Sequence, residues 1–246
     1  MPDLLRRLRA RAERSPRVRR AVIDAYTRWY YDAADTTWKA THWRGVHVTK
    51  SPLDLWTYQD LLHRVRPEVV VETGTLQGGS ALFMADVMDL VGTGRIVSVD
   101  VVANPGRGEH PRIEYVVGSS VDPDVVARVR ALVGDADPVL VVLDSDHRAP
   151  HVAAELEAYH DLVTPGSYLV VEDTVVNGHP VEPAFGPGPM EALEPFLAAH
   201  REFTPDPACE RFGMSFNRGG WLRRAARAPG AAPPGRSPAG APPARS

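Results

Sequence analysis

The chain has 246 residues, 24% of them charged and 43% hydrophobic, with a formal net charge of −3. That length supports one large domain with its own core, and the charge balance excludes nucleic-acid binding over the molecule as a whole. One cysteine, Cys209, excludes an internal disulfide framework and fits a reducing cytoplasm. No apolar run reaches the ~18 residues of a membrane span, and no apolar segment follows the first arginines as a secretory signal requires.

Residues 1–45 are first basic, then aromatic. The arginines of Arg6-Arg7-Leu8-Arg9-Ala10-Arg11 and Arg17-Val18-Arg19-Arg20 read as a solvated helix, with contact to an anionic surface as the alternative. Tyr26, Trp29, Tyr30, Tyr31, Trp38 and Trp43 predict a helical appendage that packs on this domain or on another subunit. The body occupies residues 46–224. Pro52 leads into a helix, Leu53–Val65. Strand-like and helix-like segments then alternate: strand Val69–Glu72, helix Ser80–Leu90, strands Ile96–Val101 and Ile113–Val117, helix Pro123–Val133. Strand Val139–Asp144, helix Pro150–Leu162 and strand Ser167–Glu172 follow. Continuous apolar runs suit strands covered on both faces, and the alternation argues for a doubly wound, mostly parallel α/β sheet.

Residues 174–189 are rich in Pro and Gly, and a loop of this length is often functional, for example a lid. Phe212–Asn217 and Gly219–Leu222 predict a closing hairpin. Residues 225–246, mostly Ala, Pro, Gly and Arg, cannot bury apolar surface and predict a disordered tail.

Two of the apolar runs end in acids. Val139-Leu140-Val141-Val142-Leu143 runs into Asp144, then Ser145, Asp146 and His147; Ser167-Tyr168-Leu169-Val170-Val171 runs into Glu172-Asp173. Neighbouring parallel strands lie ~4.8 Å apart, so acids at their ends can share one ion. Oxygen donors without thiolate or a histidine cluster suit Mg²⁺ rather than structural zinc. Asp144, Glu172 and Asp173 are the expected ligands, with Asp146 able to replace Asp144 or to orient His147. His147 is the candidate general base, and His151, one helical turn later, is a supporting or exposed residue.

Ligands of open α/β sheets bind beyond the carboxyl ends of the strands, where strand order reverses. The segment after the first strand is Glu72-Thr73-Gly74-Thr75-Leu76-Gln77-Gly78-Gly79-Ser80. Its Gly-x-x-x-Gly-Gly spacing is neither the dinucleotide fingerprint nor a Walker A loop. Glu72 would repel a pyrophosphate but suits an amine-bearing ligand. Asp100, at the end of the next strand, can accept both hydroxyls of a ribose. An adenosine carrying an amino acid fits both, and S-adenosylmethionine is such a ligand.

The sequence resembles the cephalosporin hydroxylase/rhamnosyl O-methyltransferase family over roughly residues 40–222. The residues that carry the likeness are Gly45-Val46, Lys50-Ser51-Pro52-Leu53-Asp54-Leu55-Trp56-Thr57-Tyr58-Gln59, Glu72-Thr73-Gly74-Thr75, Gly78-Gly79-Ser80, Asp100, Leu143-Asp144-Ser145-Asp146-His147 and Val171-Glu172-Asp173-Thr174. The resemblance implies a seven-stranded, Rossmann-like class I methyltransferase fold using S-adenosylmethionine and Mg²⁺. It implies metal ligation by Asp144, Glu172 and Asp173, and cofactor contacts from Glu72, Gly74, Thr75, Gly78, Ser80 and Asp100, with Ser119 and Ser120 near the adenine. It further implies a catalytic histidine at His147, a small hydroxylated acceptor such as a sugar, and a homo-oligomer built through N-terminal helices. An oxygenase, or the partner subunit of one, is the alternative activity, and a non-catalytic cofactor-binding module is the third. An iron oxygenase would want two histidines and one carboxylate, whereas the expected cluster is all carboxylate.

Overall fold

A computed structural model describes residues 15–227. The basic run at Arg6–Arg11 and the tail from residue 228 onward lie outside the described residues. The first element is helix α1 (Pro16–Asp32), followed by two short antiparallel strands, β1 (His42–Trp43) and β2 (Val46–His47). Helix α2 (Pro52–Val65) starts with Pro at its first position and Ser51 as its cap, the Ser51 hydroxyl accepting the Leu53 N–H.

The β-branched runs then become strands β3 (Val69–Thr73), β4 (Arg95–Asp100), β5 (Ile113–Val117), β6 (Val139–Leu143) and β7 (Tyr168–Val171). Helices α3 (Gly79–Val91), α4 (Pro123–Val133) and α5 (Ala149–Tyr159) are the crossovers. Helix α6 (Pro189–Ala199) and the antiparallel strands β8 (Phe203–Pro205) and β9 (Trp221–Arg224) complete the described chain. The seven-stranded sheet has the order β5-β4-β3-β6-β7-β9-β8; β9 alone runs against the others, so its pairings with β7 and β8 are both antiparallel. Both faces are covered, as the unbroken apolar runs require. Val69 and Val71 of β3 join one buried cluster, with the helices α4–α6, while Val70 joins the other, with α2 and α3.

Strand order reverses between β3 and β6, and this opens a cleft beyond their carboxyl ends. Gly74 lies at that point with φ +86°, and a Cβ there would sit 1.8 Å from the Asp144 carbonyl oxygen. Only glycine lets the two strand ends approach so closely.

Two expectations are corrected. Phe212–Asn217 is not a strand. Its backbone donors are taken by side chains instead: the Phe216 N–H donates to Asp54 Oδ2 at 2.9 Å, and the Asn217 N–H to Ser215 Oγ at 3.0 Å. The antiparallel partner of β9 is Phe203–Pro205. Residues 174–189 are a packed wall rather than a free lid. Val175, Val176 and Val181 are buried with Met214 and Phe216, and Tyr30, Tyr31 and Trp38 pack on that cluster. The aromatic zone therefore packs in part on its own domain, while Tyr26 and Trp29 on α1 stay exposed.

Glu191 in the first turn of α6 fastens this wall. It accepts from Asn177 Nδ2 at 3.0 Å, His179 Nε2 at 2.8 Å and the Gly188 N–H at 2.7 Å. Burial works to raise its pKa, but these donors prevail and hold it at about 2. A carboxylate depressed in the folded state stabilises the fold above its ordinary value of 4.5, and that contribution disappears as pH falls toward 2. In denaturation series at stepped pH, the stability gap between the wild type and Glu191→Gln should therefore be constant above pH 4.5 and narrow below it.

Candidate active site

Strands β6 and β7 deliver the carboxylates. Leu143 of β6 is in register with Val171 of β7, so Asp144 and Glu172 emerge side by side. The Glu172 N–H donates to the Leu143 carbonyl at 3.0 Å. In an extended strand Glu172 and Asp173 would face opposite sides of the sheet. Asp173 instead adopts φ +53°, with its N–H held by Asn217 Oδ1 at 3.1 Å, and its carboxylate turns into the cleft. There Asp173 Oδ2 lies 3.1 Å from His147 Nε2, and Asp144 Oδ1 lies 3.8 Å from the same atom.

Glu172 is engaged differently. Its Oε1 accepts from Tyr58 Oη and from Lys50 Nζ, the latter at 2.6 Å, and Lys50 Nζ also donates to Asp144 Oδ2. Lys50 is 4% exposed and Glu172 5% exposed, so this ion network is dry. Burial alone would neutralise Lys50, but Asp144, Glu172 and Glu72 hold its ammonium firmly protonated. Burial pushes Asp144, Glu172 and Asp173 upward in pKa, with Lys50 opposing it in all three and His147 opposing it at Asp144 and Asp173. At His147 burial favours the neutral ring, yet the charges of Asp173, Asp144 and Glu172 prevail and raise its pKa.

A cavity of about 530 Å³ opens above this floor. Its wall includes Gly74, Thr75, Ser80, Asp100, Ser120, Asp144, His147 and Asp173, all expected at a site, together with Lys50, Gln77, Tyr31 and Trp38. Asp100 accepts the Leu76 N–H at 2.8 Å and the Val102 N–H at 2.9 Å, which fixes its carboxylate at the rim with lone pairs to spare. Leu76 has φ +49° in the same loop. Gln77 Oε1 is buried without a partner, an acceptor suited to a bound donor.

Four expected residues lie off the wall. Glu72 is fully buried beneath the loop, accepting from Ser80 Oγ and from Ser98 Oγ at 2.7 Å, and burial pushes its pKa to about 7. It supports the glycine loop from below. Gly78, at φ +76°, faces Tyr115 and Arg107, and Ser119 is half-buried beside the cavity-lining Ser120. Glu172 faces Lys50 and Tyr58 from under the cluster. Asp146, the alternative to Asp144, does line the cavity; it is exposed, and its Oδ1 accepts the Arg148 N–H at 3.0 Å, capping the turn into α5. His151 also lines the cavity, where its Nε2 is engaged by Ser120 Oγ and Ser145 Oγ at 3.1 and 3.0 Å, beside Glu155.

The family described as Rhamnosyl O-methyltransferase/CmcI matches residues 35–225. The chain belongs to this family. By that membership it is an O-methyltransferase. It is similar to the rhamnosyl O-methyltransferase of Mycobacterium tuberculosis (strain ATCC 25618 / H37Rv), 38% identical over 181 residues covering 72% of this chain and 73% of the relative. The Mycobacterium leprae (strain TN) rhamnosyl O-methyltransferase is 37% identical over 213 residues, covering 83% and 91%. A solved structure of CmcI with Mg and S-adenosylmethionine superposes with a TM-score of 0.59 at 21% identity, covering 76% of this chain and 78% of that one. That likeness establishes the seven-stranded methyltransferase fold.

Lys50, Tyr58, Tyr31 and Trp38 had no assigned role in the sequence reading. Lys50 is 94 residues from Asp144 and 122 from Glu172, so no local spacing signals the pairing. The one hint was a lysine directly before a helix cap, Lys50-Ser51-Pro52, where a side chain is carried inward by the turn.

Removing one partner of a buried ion network leaves the others uncompensated, which costs about 3–5 kcal/mol. Lys50→Met should lower the urea unfolding free energy of the metal-free protein by that order. In the metal-free protein the His147 ring should titrate above its ordinary value of 6.5. Asp173→Asn should lower that midpoint, as read by proton NMR of the ring; an unchanged midpoint would contradict the pairing.

Proposed function

We propose that the protein transfers the methyl group of S-adenosylmethionine to a hydroxyl of a sugar or other hydroxylated natural product, in a Mg²⁺-dependent reaction. The observation that carries this reading is the convergence of Asp144, Asp173 and His147 within 4.8 Å on the wall of the cavity that also holds Gly74 and Asp100. The donor set is oxygen-rich, which fits Mg²⁺. Asp144 and Asp173 would hold the ion from the cavity side and Glu172 from below, through the oxygen that Lys50 and Tyr58 leave free. The ion supplies Lewis acidity that lowers the pKa of an acceptor hydroxyl. The sulfonium supplies an electrophilic methyl group, and the fixed Asp100 carboxylate and unpaired Gln77 Oε1 suit its polar ribose and amino groups.

The chain's own residues do the rest. Asp173 and Asp144 orient the His147 ring, and the ring in its neutral form takes the hydroxyl proton as the oxygen attacks. The oxygen–methyl bond forms as the sulfur–methyl bond breaks, and the electron pair returns to sulfur. Lys50 and Tyr58 keep Glu172 and Asp144 from shifting, so the alignment is fixed before the acceptor arrives. Tyr31 and Trp38, stacked at 5.2 Å between centroids, offer an apolar ring face suited to the C–H face of a sugar. An iron oxygenase is disfavoured because a single histidine joins the cluster among the described residues; His151 lines the same cavity, but its Nε2 is engaged by Ser120, Ser145 and Glu155.

The test uses methyl-labelled cofactor, Mg²⁺ and a panel of rhamnosyl and other glycosyl acceptors, with and without chelator. Label should appear in an ether product and vanish with chelator, and His147→Ala should slow transfer about 10²–10⁴-fold. Chelator-insensitive transfer would sink the metal dependence; oxygen consumption with bound iron would favour the oxygenase.

A further inference from the structure

We propose that Glu157, His160 and His200 form a second metal site, which takes a borderline divalent cation such as Zn²⁺ and staples the C-terminal ends of α5 and α6. One ligand atom from each residue lies within 4.8 Å of the others. The site is distinct from the carboxylate cluster: His147 precedes α5 and His160 follows it, an 11-residue helix of roughly 16 Å between them.

The hydrogen bonds around the two rings prepare them as ligands. His160 Nδ1 lies 2.9 Å from the Leu156 carbonyl, which can only accept, so Nδ1 carries the proton and Nε2 keeps its lone pair. His200 Nδ1 faces Glu202 Oε1 at 3.4 Å, which favours the same tautomer, and its Nε2 lies 3.8 Å from Glu157 Oε1. A lone pair directed at a carboxylate is repulsive unless a proton or a metal cation lies between them. Outer partners on Nδ1 that leave Nε2 as the free lone pair are the usual arrangement of metal-bound histidines.

The rings are also held in place. The two imidazoles lie 4.3 Å apart, and His200 stacks on Phe196 at 4.3 Å. Both histidines directly follow helix C-termini, where the helix dipoles favour positive charge. Tetrahedral zinc with bonds of ~2.1 Å needs ligand atoms ~3.4 Å apart. Glu157, whose side chain is 71% exposed, is free to close that gap. Two nitrogens and one oxygen suit zinc, nickel or copper and not Mg²⁺. The other histidine–carboxylate cluster away from the cleft, at Asp86, Asp89 and His110, is already compensated by Arg44 and Arg112 and carries no such inference.

The experiment titrates the full chain with Zn²⁺ by calorimetry in excess Mg²⁺, which occupies the carboxylate cluster. The wild type should bind one equivalent of Zn²⁺ and rise in melting temperature. Glu157→Gln, at an exposed position that cannot unfold the protein, should weaken that equivalent about tenfold, and His160→Gln/His200→Gln should remove it together with the thermal shift. Asp144→Asn should retain it. Co²⁺ in place of Zn²⁺ should give tetrahedral d–d absorption in the wild type and none in the double variant. Absence of the equivalent from the wild type, its survival in the double variant, or its loss in Asp144→Asn alone would overturn the proposal; the first result would mean that the histidines only cap their helices as cations.

Discussion

A lysine ammonium buried among carboxylates is the constraint on which the site depends. Asp144, Glu172 and Asp173 stand together at the ends of β6 and β7, and like charges at such distances in a low-dielectric floor repel strongly. Lys50 bridges Asp144 and Glu172, and Tyr58 adds a hydroxyl donor to the same Glu172 oxygen. Because Lys50 lies just before α2 and Tyr58 lies within it, the network also fixes where that helix packs. The Tyr58 ring meets Trp221 of β9 at 5.0 Å, edge to face, so the pinned helix reaches the antiparallel margin of the sheet. The charge pattern and the packing of this side of the domain are thus one arrangement.

The cleft above owes its shape to backbone geometry. The reversal of strand order parts the loops after β3 and β6, but only above Gly74, where the two chains are in contact. Asp173 and Leu76 hold left-handed conformations at two edges of the cavity. Such conformations cost of order 1–3 kcal/mol each and persist where the surroundings fix them. At Asp173 the Asn217 side chain does so, and at Leu76 the Asp100 carboxylate does. The wall of residues 174–189 supports the remaining edge: the Ala149 N–H at the start of α5 donates to the Pro187 carbonyl at 3.0 Å, so the segment that carries His147 leans on it.

The centre of the sheet was legible because its strands are buried on both faces and read as unbroken apolar runs; the strand expected over Val139–Asp144 runs over Val139–Leu143, every residue of it buried. The acids were legible for the same reason, since a charge at the end of such a run has to leave the sheet at its carboxyl edge. Phe212–Asn217 misled because Phe212, Met214 and Phe216 alternate as in a strand. Ser215 and Asp54 take the ladder donors there, and the true edge strand is three residues with a proline. Glu72 was placed near the ligand by its charge, its position before the first glycine and the family resemblance. Two serines 8 and 26 residues away bind it from below, and such depth within a strand end is not written in spacing. Lys50 lay in a recognised segment, but the role of a lone lysine is set by what it meets, and its partners are distant in sequence.

The count of charges around His147 links the metal to the base. Lys50 neutralises one of the three carboxylates of the cluster, which leaves two negative charges facing the cavity when the His147 ring is neutral. Those charges raise the His147 pKa in the structure described. On the proposed reading, a divalent cation held by Asp144 and Asp173 would satisfy the same two charges, and its own charge would oppose protonation of a ring 3.1 Å from Asp173. Protons and divalent cations would then compete for one electrostatic vacancy. By linkage, occupancy by the cation would favour the neutral imidazole, the form able to accept a proton. Had Lys50 been absent, three charges would face the cavity, and a divalent ion would not release the ring. The buried ammonium would thus set the residual charge at which the proposed cation binding and base activation coincide.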